Sequence, residues 1–337
     1  MAAHVRLAGG AGDFPCEDGD TLLRAALRAG LGLPYECSVG GCGTCKIEML
    51  EGQASMARAD CAGLSERDRA KGRLLACQAM PGGDCTIKVR LDPACRPRIA
   101  PRRMRAVLET ASDVTHDIRE FRFRSAGPAH FLPGQYALLR LPGMEADRAY
   151  SMSNLPNEQG EWHFQVRKVP GGAAGAVLFE RMRPGETIEL DGPFGMAYLR
   201  EDSHRDVVCI AGGSGLAPMV SIARGMFASD LMRERRLTFL YGARTPGDVC
   251  GREFLETLPG FHGRGRYFAS ISDHRTANGW QGAVGYVHEH LPMLLDAALA
   301  EHEFYLAGPP AMVEAVEGLL LGEGGVPQEQ LHFDRYC

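Results

Sequence analysis

The chain has 337 residues, of which 45% are hydrophobic and 23% are charged, and its formal net charge is −5. This composition excludes a disordered chain, a coiled coil and a collagen-like protein, and the length predicts two to three domains. No apolar run reaches the roughly 18 residues of a membrane-spanning helix, and the N-terminus lacks the hydrophobic stretch of a signal peptide. We therefore expect a cytoplasmic protein without a membrane partner.

Cysteines are concentrated near the N-terminus, where eight of the eleven precede residue 96. In a reducing compartment such a set indicates metal ligation or packing rather than disulfides. Cys37, Cys42 and Cys45 have the spacing C-x4-C-x2-C, and Cys77 follows 32 residues later. This is the ligand pattern of a plant-type [2Fe–2S] cluster. A zinc site is the weaker alternative, because structural zinc usually takes paired cysteine or histidine knuckles.

The surrounding residues predict a small β-grasp-like domain over residues 1–92. Glycines between the cysteines allow the loop to wrap closely around a cluster. A helix is expected over 21–29, capped by Asp20 and ended by Gly30, with strands over 46–50 and 85–89. The remaining cysteines of this domain lack ligand spacing and are interpreted as structural: Cys16, Cys61, Cys85 and Cys95.

Residues 93–103 contain four arginines, three prolines and no acidic residue. A basic arm for nucleic acid is one interpretation of this segment. The prolines and the absence of aromatic residues favour an extended linker. We expect no nucleic-acid partner.

Residues 104–203 have the short alternating segments of an antiparallel β-barrel. On a strand, Arg148 and Tyr150 would share one face, as suits a ligand with a pyrophosphate and a flat ring, while Ser151 would face the other way. Further along, Val166 and Lys168 precede a glycine-rich turn that opens a helix over 176–182. Helix N-termini bind phosphate through free N–H groups. On these residues alone, Tyr150 as a core aromatic and Arg148 as a surface ion pair remain equally open.

Residues 204–337 alternate strands with helices, which predicts a doubly wound parallel sheet. An apolar strand over 207–211 leads into Gly212-Gly213-Ser214-Gly215 and a helix with Pro218 in its first turn. Gly242 and the pair Gly308-Pro309 follow later strands, at the sheet edge where such folds bind ligands. The alternative is that these glycines only form turns.

Two features of this domain stay ambiguous from the sequence. In the loop after the second strand, Asp248 could hold ribose hydroxyls, whereas Arg244 could accept the 2′-phosphate of NADPH. The aromatic C-terminal segment with Phe333 is either a last edge strand or a cover for a flavin face.

The chain resembles the reductase components of bacterial multicomponent oxygenases, which join a plant-type ferredoxin to a ferredoxin–NADP reductase-like module. The resemblance rests on Cys37/Cys42/Cys45/Cys77, Arg148-Ala-Tyr-Ser151, and the motifs at 212–215 and 307–310. The module order and the ending at 332–336 are most similar to the reductases of toluene monooxygenases. This resemblance implies that the chain is an enzyme. Its reductant would be NADH, its cofactors FAD and a [2Fe–2S] cluster, and its electron acceptor a Rieske ferredoxin or diiron hydroxylase.

The resemblance also implies roles for individual residues. Arg148 would bind the FAD phosphates, and Tyr150 and Ser151 would contact the reacting isoalloxazine ring. The other implied FAD contacts are Val166, Lys168, Gly172, Gly175 and Phe333. The implied NADH contacts are Gly213, Ser214, Gly215, Pro218, Gly242, Arg244, Gly308 and Pro309.

Two positions depart from the family pattern. Gly175 stands where the family often has Ser or Thr, so a hydroxyl contact to the pyrophosphate is missing. Ala307 stands where many relatives have Cys near the nicotinamide. Neither change removes a group that the chemistry requires.

The three modules together predict an electron relay. Nicotinamide delivers two electrons as hydride, an iron–sulfur cluster takes one at a time, and a flavin exchanges both ways. The alternatives are the reductase of a Rieske ring-hydroxylating dioxygenase and a non-enzymatic redox-sensing module. A monomer would suit a mobile electron carrier.

Overall fold

The computed structural model describes residues 2–295 and 298–334. Among these residues, no helix is both long and apolar enough to cross a lipid bilayer. The architecture has three parts in chain order, each built on its own sheet.

The N-terminal domain is a mixed sheet with one main helix. Its elements are β1 (Ala3–Leu7), β2 (Asp13–Cys16), α1 (Leu22–Arg28), β3 (Lys46–Glu51), β4 (Ala54–Met56), α2 (Glu66–Ala70), β5 (Arg73–Leu75), β6 (Ala79–Pro81) and β7 (Cys85–Lys88). The main sheet has the order β2-β1-β7-β3-β5, and β4 pairs with β6. The parallel pair β1–β7 lies in the interior of this sheet, which has the predicted β-grasp-like form.

Helix α1 begins one residue later than the sequence predicts. Thr21 caps it, because the Thr21 hydroxyl accepts the Arg24 N–H at 3.4 Å. The prediction of Asp20 as the cap is wrong: its carboxylate is held by Arg28 and Arg103 at 2.9 and 2.8 Å. Leucines and alanines at successive turns of α1 are buried against the sheet.

The middle domain is an antiparallel barrel that is almost closed. Its elements are β8 (Arg102–Asp113), β9 (Ile118–Ser125), β10 (Tyr136–Arg140), β11 (Arg148–Ser151), β12 (Glu161–Arg167), α3 (Ala173–Gly175) and β13 (Thr187–Phe194). The strand order is β11-β10-β13-β8-β9-β12, and a bridge between Met152 and Phe164 joins the two edges. Strand β8 starts inside the predicted linker, and the helix predicted at 176–182 begins at α3 and continues as π-helix.

The C-terminal domain is a doubly wound sheet in which all strands are parallel. Its elements are β14 (Asp206–Gly212), α4 (Leu216–Ala228), β15 (Leu237–Ala243), α5 (Arg252–Glu256), α6 (Phe261–Arg264), β16 (Gly265–Ile271), β17 (Ala283–Val284), α7 (Val287–Leu294), β18 (His302–Ala307), α8 (Pro310–Leu321) and β19 (Leu331–Phe333). The order is β17-β16-β15-β14-β18-β19. Residues 331–333 of the terminal segment are therefore an edge strand, one of the two predicted alternatives.

Ion pairs clamp the N-terminal domain to the middle domain. The Arg24 guanidinium of α1 lies 2.6 Å from the Asp147 carboxylate, and both side chains are 8% exposed. One helical turn later, both carboxylate oxygens of Asp191 accept from Arg28 at 2.7 Å. Removing one partner of a buried ion pair is costly, because the other charge then stays buried without compensation.

We expect Asp147→Asn to destabilise the docking of these two domains by about 1.5 kcal/mol, since Arg24 would lose the nearer of its two carboxylates and keep only Asp191, at 3.8 Å. The measurements are the guanidinium unfolding midpoint and the rate of limited proteolysis in the linker. Asp13→Asn is the control, because Asp13 pairs with His4 at the surface, where such a pair is worth no more than about 1 kcal/mol. Equal effects of the two variants would contradict the conclusion that buried ion pairs hold these two domains together.

Candidate functional site

The four predicted cluster ligands converge in the structure. Cys37, Cys45 and Cys77 are buried, and Cys42 is half-buried. The thiols form two hydrogen-bonded pairs, Cys37 with Cys42 and Cys45 with Cys77. A [2Fe–2S] cluster takes four thiolates, two on each iron. Two adjacent thiol pairs therefore fit this cluster.

Glycines are required where the cluster-binding loop meets its neighbours. Gly43 has φ +79°, and a Cβ there would lie 2.5 Å from the Gly63 carbonyl oxygen. Gly40 has φ +87°, and its Cβ would lie 2.8 Å from the sulfur of Cys61. Cys61 is thus buried beside the loop, as the structural interpretation predicts.

Hydrogen bonds in the loop favour the thiolate of Cys37. A hydrogen bond from the Cys42 thiol lowers the pKa of Cys37 to about 7, against the opposing effect of burial. The Cys42 backbone N–H also reaches the Cys37 sulfur at 3.4 Å. The same hydrogen bond raises the pKa of Cys42, so the two sulfurs share one proton, which metal binding would release.

The predicted flavin strand is β11. Arg148 pairs with Leu139 of β10 and Tyr150 with Ala137, so Arg148 and Tyr150 share a face as predicted. The Arg148 guanidinium is half-buried and donates to the carbonyls of Ala146 and Asp147. Burial raises the pKa of Tyr150 to about 12, so the phenol keeps its proton. The next residue, Ser151, is buried.

The predicted glycine-rich turn opens a helix that begins at Ala173, three residues earlier than expected. Gly172 caps α3 without a side-chain hydrogen bond, so no side chain competes for the first helical N–H groups. Lys168 forms an ion pair with Glu180 at 2.9 Å, while Val166 is buried in the barrel core. A Cβ on Gly175 would approach Lys168 no closer than 3.8 Å, so glycine is not sterically required there. These residues fit FAD, with backbone donors for its phosphates.

A cavity of about 430 Å³ lies between the middle and C-terminal domains. Four predicted NADH residues line it: Gly213, Gly242, Arg244 and Pro309. The other four lie outside its lining: Ser214, Gly215, Pro218 and Gly308. Gly215 is required next to the cavity wall, because a Cβ added there would lie 2.0 Å from the Ala307 carbonyl oxygen. Pro218 is buried in helix α4.

The cavity also contains residues that sequence reasoning missed. Asp117 and Arg167 of the middle domain line it and form an ion pair at 2.6 Å. Tyr241 and Met312 line it from the C-terminal domain. No sequence signal places the middle-domain residues there, because their position depends on how the two domains pack. A ligand in this cavity would touch both domains.

Phe333 does not lie where the sequence analysis expects a flavin contact. Its side chain packs with Leu306 and Val208 in one core of the C-terminal domain. The opposite face of that sheet packs against Ile118 and Leu199 of the middle domain. This placement argues against Phe333 as a flavin contact. The rest of the predicted terminal segment, 335–337, lies outside the described residues.

The fold and these sites define a reductase that uses NAD(P)H, a flavin and an iron–sulfur cluster. The sequence matches models of the 2Fe-2S iron-sulfur cluster binding domain over residues 5–82, the oxidoreductase FAD-binding domain over 105–198 and the oxidoreductase NAD-binding domain over 209–318. These matches confirm the predicted cofactors and fold class.

Known proteins resemble the chain over nearly its whole length. The ferredoxin–NAD(P)+ reductase CarAd of Metapseudomonas resinovorans is 41% identical, over 95% of this chain and 96% of that protein. The xylene/toluene monooxygenase electron transfer component XylA of Pseudomonas putida is 34% identical, over 96% and 90%. The solved ferredoxin reductase of carbazole 1,9a-dioxygenase has a TM-score of 0.91 at 35% identity, over 100% and 99%. The chain belongs to the family of reductase components of bacterial oxygenase systems, as its motifs predict.

Proposed function

We propose that this chain transfers electrons from NADH to the Rieske ferredoxin or hydroxylase component of an aromatic monooxygenase such as a toluene monooxygenase. The main support is the order of the three sites. The interdomain cavity includes Gly213 and Arg167, strand β11 lies in the same middle domain, and the cluster-binding loop packs against the neighbouring strand β10. When bound, FAD accepts hydride and releases single electrons that the cluster can carry.

The chain's own residues then bind and orient. Arg148 and the N–H groups after Gly172 hold the FAD phosphates, and Tyr150 contacts its ring. Ser151 faces the other side of the strand and reaches the ring through a local bend at the end of β11. Val166, Lys168 and Gly175 shape the rest of that site. NADH contacts four residues directly: Gly213, Gly242, Arg244 and Pro309. Four others fix the conformation of the loops that carry these contacts: Ser214, Gly215, Pro218 and Gly308. No general base is needed, because hydride transfer moves no separate proton from the substrate.

NADH is preferred over NADPH in this proposal because Asp248 lines the cavity in a fixed position. One of its carboxylate oxygens accepts from the Thr245 backbone and hydroxyl at 2.9 and 2.8 Å. A carboxylate held there favours ribose hydroxyls over a second phosphate. Arg244 offers the opposing attraction, so the ratio of kcat/KM for the two nucleotides tests this part of the proposal.

The first experiment is an anaerobic NADH titration of the FAD- and cluster-loaded protein, followed by visible absorbance. Bleaching of the flavin and then of the cluster bands, to three electrons per chain, supports the relay. A cluster that stays oxidised under excess NADH, or a protein that binds no flavin, would overturn the proposal and favour the redox-sensing alternative.

A Rieske dioxygenase system is the second candidate. The similarity to the carbazole 1,9a-dioxygenase ferredoxin reductase, with a TM-score of 0.91, favours it. NADH-driven reduction of a purified Rieske ferredoxin and of a diiron hydroxylase, at equal concentrations, separates the candidates by the faster acceptor. A cytoplasmic monomer is part of the proposal.

A further inference from the structure

The hydroxyl of Tyr136 connects the middle domain to the cluster-binding loop. Tyr136 is buried at the start of β10, and its hydroxyl oxygen lies 2.6 Å from the Glu36 carbonyl oxygen and 2.8 Å from Ser38 Oγ. These two residues flank Cys37 in the sequence. One tyrosine of the middle domain therefore holds both sides of a cluster ligand.

The protons in this contact can be assigned from the donors and acceptors. A carbonyl oxygen only accepts, and a phenol has a single proton, so Tyr136 donates to Glu36. The Ser38 hydroxyl must then donate to the phenol oxygen. Burial raises the pKa of Tyr136 well above its ordinary value, so the phenol stays protonated.

Ser38 has a backbone conformation that needs this support. Its φ is +54°, and no other described residue except glycine has a positive φ. Side chains other than that of glycine rarely adopt this region. The hydrogen bond from Ser38 to Tyr136 stabilises the turn from outside the N-terminal domain. The same turn leads to the Cys42 N–H, which reaches the Cys37 sulfur.

The tyrosine also lies beside the flavin-binding strand. Tyr136 pairs directly with Ser151 across β10 and β11. The Cys37 side of the loop therefore faces the middle domain, whereas Cys42 is half-buried and Thr44 is exposed.

We propose that Tyr136 is a positioning residue for electron transfer into the cluster, because its hydroxyl holds residues 36–38 so that the Cys37 side faces the flavin-binding strand. This inference rests on the proposed function. Electrons then enter the cluster on the Cys37 side.

The test is Tyr136→Phe, which removes the hydroxyl and keeps the ring that packs near Phe194. In anaerobic stopped flow of the loaded protein with NADH, flavin bleaching and cluster bleaching are separate absorbance changes. We expect cluster bleaching to slow about tenfold relative to flavin bleaching. The loss of one buried hydrogen bond costs about 1.4 kcal/mol, which corresponds to a factor of about ten in rate. The midpoint potential of the cluster should become more negative, and the electron paramagnetic resonance signal of the reduced cluster should change.

Tyr35→Phe is the matched control. Tyr35 is also buried at this interface, and its hydroxyl accepts the Gly195 N–H at 3.1 Å. We expect this variant to change the relative rate of cluster bleaching by less than about twofold. An equal effect of both variants would show a general loosening of the interface and would overturn the specific role of Tyr136.

Three further outcomes complete the test. Tyr136→Phe with full cluster content, a wild-type rate and a wild-type potential overturns the inference. If Tyr136→Phe loses the cluster, Ser38→Gly in the same chain should restore it, because glycine adopts positive φ without help; failure to restore it also overturns the inference. A wild-type protein whose cluster is never reduced by NADH overturns the proposed function instead.

Discussion

Replacing Gly215 with alanine should lower kcat/KM for NADH about a hundredfold. The added Cβ would lie 2.0 Å from the Ala307 carbonyl oxygen and 2.8 Å from the Gly308 nitrogen. Both are backbone atoms, so no side chain can rotate away. The loop after β14 must separate from the end of β18, which displaces Gly213 and Pro309 in the cavity wall. The measurement is steady-state NADH oxidation with ferricyanide as acceptor.

Gly318→Ala is the control for this prediction. Gly318 lies within α8, and nothing stands within 4 Å of its added Cβ. Alanine there should stabilise the helix by about 1 kcal/mol and leave NADH oxidation unchanged. A Gly215→Ala variant with wild-type kcat/KM and a wild-type unfolding midpoint would show that the two strand ends can separate without cost.

Local motifs were predictable from the sequence, because their chemistry is set by residues close together in the chain. The spacing of Cys37, Cys42 and Cys45 places three thiols on one loop, where Cys37 pairs with Cys42 and Cys45 pairs with the distant Cys77. The pattern Arg148-Ala-Tyr150 places two side chains on one face of a strand, and the pairing of β11 with β10 shows this arrangement.

Contacts between domains were not predictable, because they depend on packing between distant segments. Asp20 has the residue type and position of a helix cap, yet the arginines of two domains bind its carboxylate. Tyr136 carries no motif that signals a contact with the cluster-binding loop 98 residues away. Phe333 has the aromatic character of a flavin cover, but strand pairing with β18 places it in a core.

Asp334 has the second large expected effect, since its carboxyl is buried where the three domains meet. Its Oδ1 accepts the Met196 N–H at 3.4 Å. Burial, with smaller contributions from Glu36 and Cys42, raises the pKa of Asp334 to about 7. The backbone N–H groups of Met196 and Ala197 oppose this shift without cancelling it. The folded protein therefore holds a proton that the unfolded chain releases near pH 4.

The sign of the pH dependence follows from this difference. Between pH 4 and pH 7 the unfolded state binds fewer protons at this site, so the carboxyl lowers the stability of the folded state as pH rises. Asp334→Asn removes this contribution. From pH 5.5 to pH 8, wild type should lose about 2 kcal/mol of unfolding free energy relative to Asp334→Asn, at 1.36 kcal/mol per pKa unit.

Guanidinium unfolding of the loaded wild-type and variant proteins at several pH values measures this loss. The comparison between the two proteins cancels the titration of all other groups that the substitution leaves alone. Parallel curves would show that Asp334 is ionised in the folded state over the whole range. A gap that widens up to pH 7 and then stays constant would show a buried carboxylic acid at the junction of the three domains, protonated below neutral pH.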